Sequence, residues 1–328
     1  MKKTGLWLMI VIMCLYMLAA FSLYGSKEEE EAAPEEKIVV AHLGVRHGFP
    51  YRIAVEDTIR DEAERLGIEL IQYDNDLDIQ KAFDQIEDAM LQNPDVLIVP
   101  VLDAKAYIEP LKKAHEKGFK IVTETASVAE EGYPYIDAYV GSDPETQGRL
   151  AAELMVQGLK EKFGDNISGR KIVIIEGHPG EDAQIFRSKG FEDRLAEIAS
   201  GVEILDKQAA DWSKAKALDV MEDYLVKYKQ IDGFYSQDDT MAVGAIEAIK
   251  EAGRLDEIIV VGINGNADGL TSIKNGEMYG TISQSPVICG KLVVQVAHKL
   301  AKGEDVEFFN IQPMPKITIE NADEFLPW

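Results

Sequence analysis

The sequence predicts an α/β fold of two doubly wound, Rossmann-like parallel-sheet domains, and three observations carry that prediction. From Lys37 onward, short runs rich in β-branched residues alternate with longer stretches of helical periodicity. The alternation runs through twice, with a break after AYVGSDPETQG. A further strand and helix are then left over, so the chain is expected to cross back between the domains more than once and to form a hinge.

The first strands are expected at IVVAHL (38–43), IELIQY (68–73), VLIVPV (96–101) and KIVTET (120–125). Such nearly unbroken apolar runs suit strands covered on both faces. Between them, YRIAVEDTIRDEAERLG, IQKAFDQIEDAMLQN and AYIEPLKKAHEKG place apolar residues at helical spacing and end on or beside Gly or Asn, the residues that close helices. This is βαβ repetition, hence a parallel sheet. Acid-rich stretches such as VEDTIRDEAER read as solvated helix surface.

The second round comprises KIVIIEG (171–177), VEILDKQ (202–208), GFYSQ (233–237) and IIVVGI (258–263), with helices near 182–199, 213–229 and 239–253. GTISQ (280–284), the helix 286–303 and a strand near 315–319 are the surplus.

Composition narrows the function. A chain of 328 residues suits two domains once a leader is set aside. With 58 acidic against 34 basic residues, the net charge of −24 argues against nucleic acid and anionic membrane surfaces as partners. Two cysteines, Cys14 and Cys289, supply neither a disulfide framework nor a thiolate metal site. Lys2 and Lys3, an apolar run from Leu6 to Tyr24 and then Gly25-Ser26 make residues 1–26 an export signal or membrane anchor, and the Glu-rich 27–37 a tether. Ser26 stands where a lipidated cysteine would precede such a tether, which leaves lipidation open.

Catalytic signatures are missing from the sequence. VGINGNADG spaces its glycines wrongly for a dinucleotide loop, and there is no phosphate loop, HExxH or GxSxG. An enzyme is therefore not expected, nor a metal or any cofactor. What recurs is polar or aromatic residues at the carboxyl ends of strands, where open α/β sheets hold ligands: Phe49, Tyr51, Thr125, Asp238 and Asn264. Rings with hydrogen-bonding groups and no nucleophile suit a small polyhydroxylated molecule. In FYSQDDTMAVGAIEAI, Asp238 is read as the ligand-facing carboxylate and Asp239 as the cap of the following helix.

In order, FPYRIAVEDTIRDEAERLGIELIQYDND, YVGSDPETQGRLAAELM, EGHPGEDAQIFRSKGFEDRL, FYSQDDTMAVGAIEAIKEAG, VVGINGNADGL and GTISQSP resemble the type I periplasmic sugar-binding proteins of ribose and galactose importers, across nearly all of residues 38–320. The resemblance implies capture of a sugar or polyol in a closing cleft and delivery to ABC permease subunits, by a monomer outside the cytoplasm. It implies lobes of residues 38–142 with 285–312 and 143–284 with 313–328, joined by three hinge crossovers. Residue by residue, it implies ligand contacts from Phe49, Tyr51, Thr125, Arg187, Trp212, Asp238, Asn264 and Gln284. Arg187 lies on a helical segment, where a surface salt bridge fits as well as a cleft contact. Thr125-Ala126 replaces the family's Asp-Arg pair, and the Asp and Asn at 238 and 264 are exchanged, so neither ribose nor galactose is implied as such. A sensing receptor docking on a membrane kinase or chemoreceptor is the alternative. A repressor's effector domain would need a DNA-binding helix-turn-helix where residues 1–37 have none.

Overall fold

The first element of the fold, β1 (Val39–Gly44), is an interior strand of its sheet, one place in from the edge. The computed structural model describes residues 37–44 and 50–328, so the leader, nearly all of the tether and Phe49 lie outside the described residues. Around β1 are β2 (Glu69–Asp74), β3 (Val96–Pro100), β4 (Lys120–Thr125), β5 (Ala138–Gly141) and, at the far edge, β11 (Phe309–Ile311). The order is β11-β5-β4-β3-β1-β2, and each neighbouring pair is parallel.

Both faces of this sheet are covered, as its unbroken apolar strands require. Val40, Val96, Ile98 and Val122 pack against Val55 and Ile59 of α1 (Pro50–Leu66) and Val293 of α9 (Pro286–Ala301). Alternate residues Ala41, Leu43, Leu97 and Ile121 point to Ile86 of α2 (Ile79–Leu91) and Leu111 of α3 (Ile108–Glu116).

The second sheet repeats the plan with β6 (Lys171–Glu176), β7 (Glu203–Ala209), β8 (Gly233–Ser236), β9 (Ile259–Asn264), β10 (Gly280–Ser283) and β12 (Lys316–Thr318). Its order is β12-β10-β9-β8-β6-β7, parallel except for β12 against β10. α4 (Pro144–Phe163) and α5 (Asp182–Ala199) cover one face; α6 (Lys214–Lys227), α7 (Asp239–Glu251) and α8 (Ala267–Lys274) cover the other. Two glycines let α4 and α5 touch backbone to backbone. A Cβ on Gly148 would stand 2.2 Å from the carbonyl oxygen of Arg187, and one on Gly190 2.0 Å from that of Glu145.

The chain passes between the sheets three times: from β5 to α4, from β10 to α9 and from β11 to β12. The passages are bonded to one another and to the strand ends. Gln312 donates its amide to Gly141 O at 2.8 Å and its side chain to Ser142 Oγ at 2.9 Å, while Gln284 N donates to Asn264 O at 2.9 Å. Residues Ile38–Trp328 form one compact unit that contains both sheets and the four core clusters of the described residues.

Several details depart from the sequence expectation. β5 and β11 were not expected as strands, being too short at four and three residues to show a period, and the helices α4 and α8 were not among those expected. The acidic face of α1 is also not all solvated. Glu56 and Glu62 are buried, and Glu62 accepts from Gln295 at 2.8 Å and from Arg65, because α9 lies over that face.

Candidate functional site

The carboxyl ends of the strands are where side chains leave the core and become available to a ligand. In the second lobe the site is organised around Arg187, one turn into α5 and buried. Its Nε donates to Gln147 Oε1 at 3.0 Å, its Nη1 to the carbonyl of Gln237 at 2.7 Å and its Nη2 to Gln284 Oε1. Gln147 also donates to Gln284 at 3.2 Å. The guanidinium thus ties α4, the end of β8 and the passage after β10 together. Burial lowers its pKa, and the nearby Tyr235 and Asp238 oppose that shift. The surface salt bridge that a helical arginine allows does not form: among the described residues no carboxylate lies in ion-pair contact with it. The reason is the pair of glycines in α4 and α5, which draws this face of α5 inward.

Trp212 stands beside that guanidinium, 5.8 Å from its ring. Asp211 and Trp212 both have positive φ, 53° and 59°, in the loop after β7. This turns the indole over Gly177, where an added Cβ would fall 2.0 Å from ring atoms. The indole Nε1 donates to Glu181 at 2.9 Å, which fixes the ring's direction.

The cap expected at Asp239 is made by Asp238 instead. Asp238 is the N-cap of α7: its backbone is extended and its Oδ1 accepts from Met241 N at 2.7 Å. Asp239 is already helical and points into the lobe, accepting from Gly265 N at 2.6 Å, Asn266 N at 3.3 Å and Thr281 Oγ1 at 2.7 Å. A cap must precede the first helical residue so that its side chain can reach back to a free amide, and here the helix starts one residue earlier than that assignment requires. Asp238 keeps its second oxygen unbonded among the described residues. Burial pushes its pKa up to about 7 and that of Asp239 up to about 8.

Asn264 closes β9 with φ at 125°, and its buried side chain makes no hydrogen bond with described residues. Gln284, in contrast, commits its side-chain oxygen to Arg187 and Gln147.

In the first lobe, Tyr51 sits at the start of α1, half-buried, with Gln312 Nε2 at 3.5 Å from its hydroxyl. Thr125, with φ at 64°, gives its hydroxyl to the neighbouring buried Glu124, and its carbonyl accepts from Tyr139 at 3.2 Å. Arg52 was not among the expected site residues. It follows Tyr51, is half-buried, and makes no hydrogen bond or ion pair with described residues, although its charge lies near Glu124 and Tyr107. Its adjacency to Tyr51 was the available signal. Gln147, equally missed, sits inside α4 with nothing in the sequence to mark it.

Together these residues offer two aromatic faces, cationic donors and uncommitted oxygen and amide acceptors. This is the equipment of reversible capture. A two-lobed α/β fold with such groups at facing strand ends defines an extracytoplasmic-type solute receptor. Residues 40–305 match the periplasmic binding protein domain, and the chain belongs to that family of non-catalytic solute-binding proteins, which work outside the cytoplasm. It is 32% identical over 258 residues to the ribose import binding protein of Bacillus subtilis, covering 79% of this chain and 80% of that one. The xylitol-binding protein of Mycolicibacterium smegmatis is 30% identical over 265 residues, 80% of this chain and 72% of the relative. Among solved structures, an ABC transporter solute-binding protein from Bacillus halodurans with bound myo-inositol superposes with a TM-score of 0.80 at 26% identity, covering 89% of this chain and 98% of that one.

Proposed function

We propose that the chain captures a sugar, polyol or similar small polyhydroxylated molecule between its lobes and delivers it to the permease of an ABC importer. The observation that carries this reading is the setting of Arg187: a buried guanidinium held by neutral acceptors from three elements, beside the Trp212 ring and the half-used carboxylate of Asp238. Such a group is positioned in advance, so a ligand's hydroxyls need not pay for arranging it. Ring faces would take the C–H surfaces, and Asp238 and Asn264 the hydroxyls. The proposed contacts are Phe49, Tyr51, Thr125, Arg187, Trp212, Asp238, Asn264 and Gln284, with Arg52 added. The relatives that bind ribose, xylitol and myo-inositol by name support the ligand class.

The proposed lobes are 38–142 with 285–312 and 143–284 with 313–328, closing about Ser142-Asp143, Gln284-Ser285 and Pro313. The leader and Glu-rich tether are read as keeping the lobes at the outer face of the membrane, which cell fractionation would check: release as a freely soluble protein ends the tether reading.

A thermal-shift screen of residues 38–328 against D-ribose, D-allose, D-arabinose, xylitol and myo-inositol, with amino acids and dipeptides as the contrasting set, tests the ligand class. Binding confined to the native state adds about 2.7 kcal/mol at a hundredfold excess over Kd. Stabilisation by an amino acid or peptide alone would overturn the reading.

A further inference from the structure

The segment after β12 returns to the cleft. The short helical turn Ala322–Glu324 packs on α8, and Phe325 packs on the core of the second lobe. Trp328 then accepts a hydrogen bond at its carbonyl from Ala267 N, the first residue of α8, at 3.4 Å. Its ring, however, stands against the other lobe. It meets Tyr51 of α1 edge to face, with ring centroids 5.6 Å apart and planes at 77°. Tyr51 in turn packs on the core of the first lobe. Leu326, between these anchors, is 89% exposed, so the segment spans the gap without a core of its own. It also lies beyond residue 305, where the match to the family domain ends.

We propose that Phe325–Trp328 is an interlobe strap. The Trp328 ring on Tyr51 makes a noncovalent fourth link beside the three covalent passages, favours the closed arrangement, and slows escape of the molecule held next to Tyr51. The role in retention rests on the cleft being the ligand site; the link itself does not. An edge-to-face pair of this kind shifts an equilibrium roughly three- to tenfold.

Three tryptophans occur in the chain, Trp7, Trp212 and Trp328, so Trp212→Phe in residues 38–328 leaves Trp328 as the sole tryptophan. Its emission should be shielded from acrylamide, and adding Tyr51→Ala should shift it to the red and raise quenching about twofold. An emission already fully exposed, or unmoved by Tyr51→Ala, overturns the strap. With Trp212 intact, release of D-ribose, xylitol or myo-inositol, whichever binds, should be roughly three- to tenfold faster in Trp328→Ala. In Trp328→Phe, which keeps an edge-on ring, release should be near the unaltered rate. Unchanged release from Trp328→Ala, at unchanged Tm, overturns the role in retention. If none of the three sugars and polyols binds the unaltered chain, the ligand-class reading fails, and the emission measurement still decides the strap.

Discussion

Thr281 donates its hydroxyl to Asp239 at 2.7 Å inside the second lobe, and the same carboxylate takes the amides of Gly265 and Asn266. Asp239 therefore holds β10 and the loop after β9 to the first turn of α7. Asp239→Ala strands these donors in a buried site, and each unsatisfied donor costs about 1–3 kcal/mol. A loss on the order of 3 kcal/mol is expected in urea denaturation. A loss below about 1 kcal/mol would show that the loop rearranges freely and that this carboxylate is not its anchor.

Asp238 separates two roles that one substitution can split. Asn caps helices as well as Asp does, so Asp238→Asn should leave stability within about 0.5 kcal/mol while losing the charge on the free oxygen. If that oxygen accepts from a ligand hydroxyl, affinity should fall by about 1.5–3 kcal/mol. Asp238→Ala should show the same affinity loss together with about 1 kcal/mol of lost stability from the cap. Full affinity in Asp238→Asn would leave the residue with capping alone.

Stability should fall as pH rises from about 6.5 to 8. Burial raises Asp238 to about 7 and Asp239 to about 8, against the ordinary aspartate value of 3.8, so the folded chain holds more protons than the unfolded one through that interval. Below it, His42 acts in the opposite sense. Buried in β1, it is lowered from 6.5 to about 4, so its own contribution rises with pH between those values and offsets part of the fall from the aspartates, which begins near pH 4. Denaturation midpoints at pH 6.5 and 8 isolate the aspartates, and Asp238→Asn should flatten the slope. A midpoint that climbs over this interval contradicts the burial assigned to the pair.

The glycine contact between α4 and α5 is equally open to trial. Gly148→Ala must push the helices apart, since its methyl would meet the carbonyl of Arg187 at 2.2 Å. Overpacking of this kind costs about 1–3 kcal/mol. Because Arg187 rides on the displaced turn, affinity should fall along with Tm. A stable Gly148→Ala protein with altered affinity would still place Arg187 in the site, whereas unchanged values of both would refute the contact.

Most of the architecture was legible because its signals are local. β-branched runs such as VLIVPV become strands buried on both faces, and the surplus elements after two rounds are those between which the chain crosses back from one sheet to the other. β5 and β11 were not legible, since so few residues take their conformation from the strand they pair with, and these two pair with each other across a long stretch of sequence. In the site, the placement of Asp238 at a strand end followed from the sequence pattern, while Trp212 came from the family resemblance alone. That Asp238 rather than Asp239 makes the cap could not be read, because one residue of helix start decides which backbone is still extended. The partners of Arg187 were hidden for a similar reason: Gln147, Gln237 and Gln284 meet only after three elements pack.

The chain's returns between the sheets also set an order of assembly. The first lobe draws core residues Cys289, Val293 and Ala297 from α9, and its outer strand from residues 309–311. The second waits for residues 316–318 to complete its sheet. Neither core can be completed by a chain that has emerged only as far as β10. Contacts this distant in sequence slow folding, so the nascent polypeptide keeps apolar surface uncovered during much of its synthesis. A protein destined for export gains from that delay, since a translocation channel accepts a chain that has yet to fold.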